Sequence, residues 1–261
     1  MSELPMLYEE NDYIGVITLN RPEAMNALTY ESYRLLEDYV RDSQARVLII
    51  TANGRAFCSG DDVKQILGST APAPEEFRAR SIKSGGLTPA ADALLHTNIP
   101  VIAAVNGPAV GWGMELALMA DIRVISEKAK FGELFVLRGL CCDAPGLGRL
   151  AQLVGRERAA ELLFTGDVID AQTALAIGLV SRVVAPEALM DTAMGIARKI
   201  AGNPPLAVQA LKEGLRRTLE PDWKDTGKWA SQQIQRLRQT EDSKEGVRSF
   251  LEKRPAVYVG R

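Results

Sequence analysis

The run Val101-Ile102-Ala103-Ala104-Val105 constrains this chain most. Five consecutive apolar residues read as a buried strand, and a glycine-rich turn and a helix over about 113–120 follow it directly. A strand that feeds a helix through a glycine turn aims the helix's free N–H groups at whatever sits beyond the strand end. Similar alternation runs upstream. Residues 13–19 predict a strand closed by Asn20-Arg21-Pro22, residues 30–41 a helix with Thr29 at its N-cap, and residues 46–51 a β-branched strand entering the turn Asn53-Gly54-Arg55. A helix ending near His96 and a strand over 122–125 continue the rhythm, so an α/β core is expected.

From about Gly146 the pattern is mainly helical. Helices are expected over 147–154, 158–164, 171–177, 187–201, 206–219, 223–239 and 241–253, with one last strand at 180–184. The stretch Gly202-Asn203-Pro204-Pro205 suggests a seam between a core of residues 1–202 and a helical C-terminal region of residues 203–261, an oligomerisation or lid element. Residues 68–90 place glycine, serine and proline around a short charged stretch and read as a long loop, a functional lid or a partly disordered segment.

Composition removes several classes. The 261 residues are 46% hydrophobic with a net charge of −2, which suits a buried core and gives no nucleic-acid surface. No apolar run reaches the roughly 18–20 residues of a membrane helix, and Met1-Ser2-Glu3-Leu4-Pro5 lacks the marks of a secretory signal. Three cysteines, Cys58, Cys141 and Cys142, make neither a disulfide framework nor a zinc spacing, so a reducing cytoplasm is expected and the adjacent pair reads as packing. His96 is the one histidine, which excludes a multi-histidine metal site; at a helix end it reads as facing solvent or capping carbonyls.

Two segments carry glycine and polar residues after buried strands: Ala56-Phe57-Cys58-Ser59-Gly60-Asp61-Asp62-Val63, and Asn106-Gly107-Pro108-Ala109-Val110-Gly111-Trp112-Gly113-Met114-Glu115-Leu116. The dinucleotide fingerprint would need glycine where Leu116 stands, and no Gly-Lys-Ser/Thr makes a phosphate loop. Singly, each segment reads as a tight turn where glycine permits positive φ. Facing one another, they would form an oxyanion hole.

In this order the two segments resemble the signature regions of the crotonase (enoyl-CoA hydratase/isomerase) superfamily. Further matches span nearly the whole chain, among them Asn20-Arg21-Pro22-Glu23-Ala24-Met25-Asn26-Ala27-Leu28, Phe131-Gly132, Leu163-Phe164-Thr165-Gly166 and the tail Phe250-Leu251-Glu252-Lys253-Arg254-Pro255. The resemblance implies a spiral of ββα units with a helical C-terminal oligomerisation region, assembled as a homotrimer or dimer of trimers. It implies an acyl-CoA thioester substrate whose coenzyme A needs no separate cofactor. The oxyanion donors fall on the backbone N–H groups of Asp61 and Trp112, the latter where the family often has glycine. The adenine is expected along Ser59, Gly60, Asp62 and Val63, and the pantetheine near Met25 and Ala27. Gly111 and Phe135 line the acyl side, and Lys253 is the candidate for the phosphates, its bland alternative being a solvated helix-end lysine.

The family's first catalytic glutamate maps to Glu115, which would also suit a helix dipole in the first turn. The second falls on Phe135, which transfers no proton, while Glu133 stands two residues off. Asp143, eight residues past Phe135, matches an aspartate that some isomerases and an aryl-CoA dehalogenase of the family use, and it is also placed to be an N-cap. A Glu115/Asp143 pair is therefore expected. Hydration of an enoyl thioester leads; isomerisation of an enoyl- or dienoyl-CoA and non-catalytic acyl-CoA binding remain open.

Overall fold

The computed structural model describes residues 4–69 and 71–261. A six-stranded sheet runs in the order β1 (Met6–Asn11), β2 (Ile14–Leu19), β3 (Val47–Ala52), β4 (Val101–Val105), β6 (Ile122–Ser126) and β9 (Arg182–Val184), parallel except for the β1–β2 hairpin. A second sheet pairs β5 (Ala109–Val110), β7 (Lys130–Gly132) and β8 (Ile169–Asp170). Eleven helices are described: α1 (Tyr30–Asp42), α2 (Glu75–Lys83), α3 (Pro89–His96), α4 (Trp112–Met119), α5 (Ala144–Val154), α6 (Arg156–Thr165), α7 (Ala171–Ala176), α8 (Leu189–Ala201), α9 (Pro205–Leu219), α10 (Trp223–Leu237) and α11 (Glu241–Glu252). Strands and helices alternate as expected, giving the α/β spiral with helices closing the chain.

The buried strands explain themselves by period. On β3 and β4, Leu48, Ile50, Val101, Ala103 and Val105 face one core with α1, α3 and α4, while Val47, Ile49, Ile102 and Ala104 face another beneath Leu189, Ala193 and Ala197 of α8. Both faces are covered, so no polar alternation is possible there. Thr29 caps α1 as expected: its Oγ1 accepts the Ser32 N–H at 3.1 Å and the Ser32 Oγ accepts the Thr29 N–H at 3.2 Å. His96 ends α3 exposed, its Nδ1 2.9 Å from the Asp92 carbonyl.

Two expectations need correction. Residues 68–90 are not one long loop, because α2 occupies Glu75–Lys83 and α3 begins at Pro89; residue 70 lies outside the described residues. Glu75 and Glu76 open α2 and Arg80 and Lys83 close it, the polarity a helix dipole favours, and Phe77 anchors it against Tyr30 and Tyr33. The sequence reading also passed over β1 and the short strands β5, β7 and β8, which are two to six residues long and too brief or too polar to show a period.

The C-terminal helices dock through charges as well as apolar contacts. Lys212 of α9 pairs with Asp121 at 2.8 Å, and the same Asp121 oxygen accepts the Val101 N–H at 2.7 Å, tying α9 to the sheet. Gly85 and Gly86 pack on α10 around Lys224 and Gly227, and Gly246 of α11 packs on Arg138.

The two glycine turns meet through backbone. Pro108 O accepts the N–H groups of Phe57 and Cys58, and Cys58 O accepts the Val110 N–H at 3.0 Å. A Cβ on Gly113 would lie 2.1 Å from that Cys58 oxygen, with no flexible side chain to yield. Gly113→Ala should therefore lose about 1–3 kcal/mol, read as a lower midpoint in urea unfolding with an unchanged slope.

Candidate active site

Gly60 (φ +90°) and Gly111 (φ +53°) both adopt backbone that side-chain-bearing residues avoid. Gly60 sits so close to the second turn that a Cβ there would be 3.4 Å from the Trp112 nitrogen. The Gly60 carbonyl accepts the Leu28 N–H and the Asp62 N–H donates to Leu28 O, both at 2.8 Å. In an extended segment successive N–H groups alternate in direction, so the Asp61 N–H faces away from Leu28. Trp112 is the first residue of α4, whose opening N–H groups have no acceptor within the helix; Met114 and Glu115 already take the Gly111 carbonyl. Neither the Asp61 nor the Trp112 N–H has an acceptor among the described residues.

A cavity of about 200 Å³ opens over these two residues. Ser59, Gly60, Val63, Gly111 and Phe135 line it, joined by Leu134, Arg138, Leu140 and Phe250, the last brought by α11. Met25 and Ala27 do not line it, though backbone contacts tie their segment to the cavity wall. The Met25 carbonyl accepts the Ser59 N–H at 3.1 Å, and Ala27 precedes the Leu28 bridge. Asp62 turns aside, its carboxylate accepting the N–H groups of Lys64 and Gln65 and pairing with Arg21 at 3.0 Å. Lys253 lines an adjoining groove that shares Arg138 and Phe250 with the cavity, and its side chain is exposed.

Glu115 is wholly buried, and its carboxylate does not serve its own helix. Its oxygens accept the Asp143 N–H at 2.9 Å and the Gly146 N–H at 2.8 Å, so it caps α5 from another helix. A Cβ on Gly146 would come 2.7 Å from Glu115 Oε1, which is why glycine stands there. Asp143 occupies the N-cap position of α5 but makes no capping bond with its side chain. Glu115 fills that role and leaves the Asp143 carboxyl free of capping. Burial and the charge of Asp61 push this carboxyl up to about 7, against the opposing pull of Arg238 and of the Trp112 indole acting as a donor.

Glu133 stands two residues before Phe135 in the sequence. It does not line the cavity, yet it is wholly buried and neither carboxyl oxygen has a partner among the described residues. Burial, then the Glu133 and Asp143 charges, hold Glu115 well above the usual carboxylate range; burial and Asp143 do the same for Glu133.

The sequence reading missed Tyr33 as well. Its hydroxyl donates to Asp61 Oδ1 at 2.6 Å, and its ring meets Trp112 edge-on with centroids 4.6 Å apart. In the sequence it is one apolar position of an amphipathic helix, indistinguishable from Leu35 or Leu36. Arg238, which acts on Asp61, Asp143 and Tyr30, comes from the end of α10, and no local pattern announces it. Of the neighbouring cysteines, Cys142 is buried against Gly146 and Cys141 is half-buried.

The family model for enoyl-CoA hydratase/isomerase matches residues 9–261. This chain belongs to the enoyl-CoA hydratase/isomerase family. It is similar to a probable enoyl-CoA hydratase of Rhizobium meliloti, 37% identical over 100% of both chains. It is also similar to a crotonyl-CoA hydratase of Syntrophomonas wolfei, 36% identical over 98% of both. Among solved structures, carnitinyl-CoA hydratase from Mycobacterium avium superposes with a TM-score of 0.88 at 30% identity, covering 100% of both chains. The family is one of acyl-CoA enzymes, and this fold belongs to it.

Glu133 yields a stability prediction with a definite sign. A carboxyl whose folded pKa is raised holds its proton longer in the native state, so its contribution is complete below the unfolded pKa and is lost as pH rises through the folded one. Glu133→Met, which removes an unpartnered buried acid, should stabilise the fold at pH 8 by about 1–3 kcal/mol. The gain should shrink toward pH 4, as measured by urea unfolding across that range.

Proposed function

We propose that this protein adds water across the double bond of a 2-enoyl-CoA thioester. The carrying observation is the convergence of two unpartnered N–H groups, from Asp61 and Trp112, on one cavity, with the Asp143 carboxyl, which does not itself line that cavity, near enough to both residues to feel them. The hydratase names of its relatives support the same reading.

The thioester oxygen lies between the two N–H groups. When hydroxide equivalent to a deprotonated water bonds to Cβ, the double-bond electrons pass through Cα to that oxygen, and the negative charge grows where the donors are already fixed. Each such donor is worth about 3–4 kcal/mol of barrier. Asp143 is the group that takes the proton from water, since a carboxyl titrating near neutrality is populated in both states at working pH. Glu115 positions Asp143 by holding its backbone N–H and the Gly146 N–H.

In this reading coenzyme A enters as part of the substrate and nothing else is needed as cofactor. Its adenine follows Ser59 to Val63, its pantetheine passes Met25 and Ala27, and Lys253 meets the phosphates from the adjoining groove. The setting is cytoplasmic, supported by three free cysteines. Phe135, in the cavity wall where a second glutamate is usual, favours isomerisation as the second reading, because a base that removes and returns one proton needs no second carboxyl.

A panel of enoyl- and dienoyl-CoA thioesters followed by mass and absorbance separates the two. Hydration adds the mass of one water and bleaches the enoyl band; isomerisation conserves mass; a binder gives only a thermal shift. Asp143→Asn should slow hydration by about 10²–10⁴-fold, and Glu115→Gln should slow it and displace the pH–rate profile. Conserved mass with every thioester sinks the hydratase reading, and full activity in both variants sinks the assigned pair.

The same proposal includes assembly into a homotrimer or a dimer of trimers through the helical segment of residues 203–261. Leu206, Leu211, Leu215 and Leu219 are exposed along α9, a stripe that a second copy would cover. Light scattering after gel filtration should give a multiple of the 28.4 kDa chain mass, and Leu211→Glu with Leu215→Glu should reduce it to one chain.

A further inference from the structure

Hydration moves two protons: one leaves water and one arrives at Cα. Asp143 accounts for the first, and Phe135 cannot supply the second. Glu115 and Glu133 are both wholly buried, and both Glu115 oxygens are occupied by the backbone N–H groups of Asp143 and Gly146. Asp61 is different. It lines the cavity, it is partly exposed, and its carboxyl belongs to the residue whose N–H faces the thioester oxygen.

We propose that the Asp61 side chain is the second proton-handling group, paired with Asp143 in place of the carboxyl missing at Phe135. The proposal rests on the hydratase reading for the identity of the reaction, but not for the handling of a proton at Cα. Three contacts define the arrangement. Tyr33 donates to Asp61 Oδ1 at 2.6 Å, fixing the carboxyl and leaving Oδ2 free of any partner among the described residues. The Tyr33 ring abuts Trp112 at 4.6 Å between centroids, and the Trp112 indole in turn lies near enough to Asp143 to lower its carboxyl. Tyr33 thus lies close to both carboxyls, and the charge of each raises its pKa, keeping the hydroxyl protonated.

The charged and titratable groups around Asp61 are Tyr33 and Tyr30 from α1, Cys58 and Asp62 from its own segment, Asp143 at the start of α5, and Arg238 at the end of α10. Burial raises the Asp61 carboxyl, Tyr33 and Arg238 lower it, and the net direction is upward. The Asp61 charge raises the Asp143 carboxyl, and two carboxyls that interact in this way share a proton more readily than both ionise. In the proposed resting site the pair holds one proton.

The steps balance. Ionised Asp143 takes a proton from water as the water oxygen bonds to Cβ, and the double-bond electrons move to the thioester oxygen. Protonated Asp61 then gives its proton to Cα as the carbonyl re-forms. Asp143 returns its proton to Asp61, and the net change is one water added to the double bond.

Asp61→Asn tests this, since it keeps the backbone N–H and an oxygen for Tyr33. Two readouts are used on the full-length protein: hydration of crotonyl-CoA, and exchange of the Cα protons of butyryl-CoA in D₂O by mass spectrometry, which needs enolisation alone. Asp61→Asn is expected to slow both by about 10²-fold or more, with KM unchanged and one limb of the pH–rate profile gone. Tyr33→Phe should slow both activities less than Asp61→Asn does and shift that limb to higher pH, because the donor that orients the Asp61 carboxyl and lowers its pKa is lost. Wild-type turnover in Asp61→Asn overturns the proposal, as does loss of hydration with exchange intact. A wild-type protein that exchanges but hydrates nothing removes the hydratase reading alone, and the Asp61→Asn exchange rate still decides the role of Asp61. A wild-type protein that does neither overturns both.

Discussion

The structure depends on the backbone seam that holds the 56–61 segment against the 107–113 segment. Carbonyl and N–H groups of Phe57, Cys58, Pro108 and Val110 pair directly, so the separation of the two turns is set by hydrogen-bond length and not by side-chain packing. Gly107 and Gly113 allow it, since a Cβ on either would lie within 2.2 Å of a carbonyl oxygen across the seam. Everything chemical is hung on that distance. Two N–H groups drawn from chain segments some fifty residues apart converge on one cavity because the strands feeding them are locked side by side.

Around the seam, polar groups are spent sparingly and for position. Asn26 bonds to Asn53 O, Ala56 O and the Arg21 N–H, which fixes the loop beside Ser59. Glu115 holds α5. Tyr33 holds Asp61. Glu133 is the exception, a buried acid without a partner, and its cost falls on stability. A cluster of carboxyls in a dry site keeps protons that solvent would remove, which is the physical condition for acid–base chemistry at neutral pH.

Much of this was legible in the sequence, for reasons that differ by element. The both-face-apolar strands β3 and β4 declare themselves because burial on two sides leaves no ambiguity of period. The turns are legible because glycine is the only residue that adopts their backbone cheaply, and Thr29 is legible because capping is local. What the sequence did not disclose is which partner a side chain selects at long range. Nothing in Asp143 says that a glutamate 28 residues earlier will cap its helix and free its carboxyl. Nothing in Tyr33 distinguishes a hydroxyl bound to Asp61 from one in water. The segment 68–90 misled because proline and glycine at its margins conceal nine residues of helix held by one phenylalanine.

The Glu115 cap has a consequence for how such a scaffold changes over time. A carboxylate that fastens one helix to the start of another is needed for the shape of the site whatever reaction occurs there, so drift at position 115 is penalised in folding as well as in chemistry. Positions 135 and 143 carry no comparable duty: one is a cavity wall and the other a helix cap relieved of its capping. New reactions can therefore be written at those two positions while the frame is inherited intact.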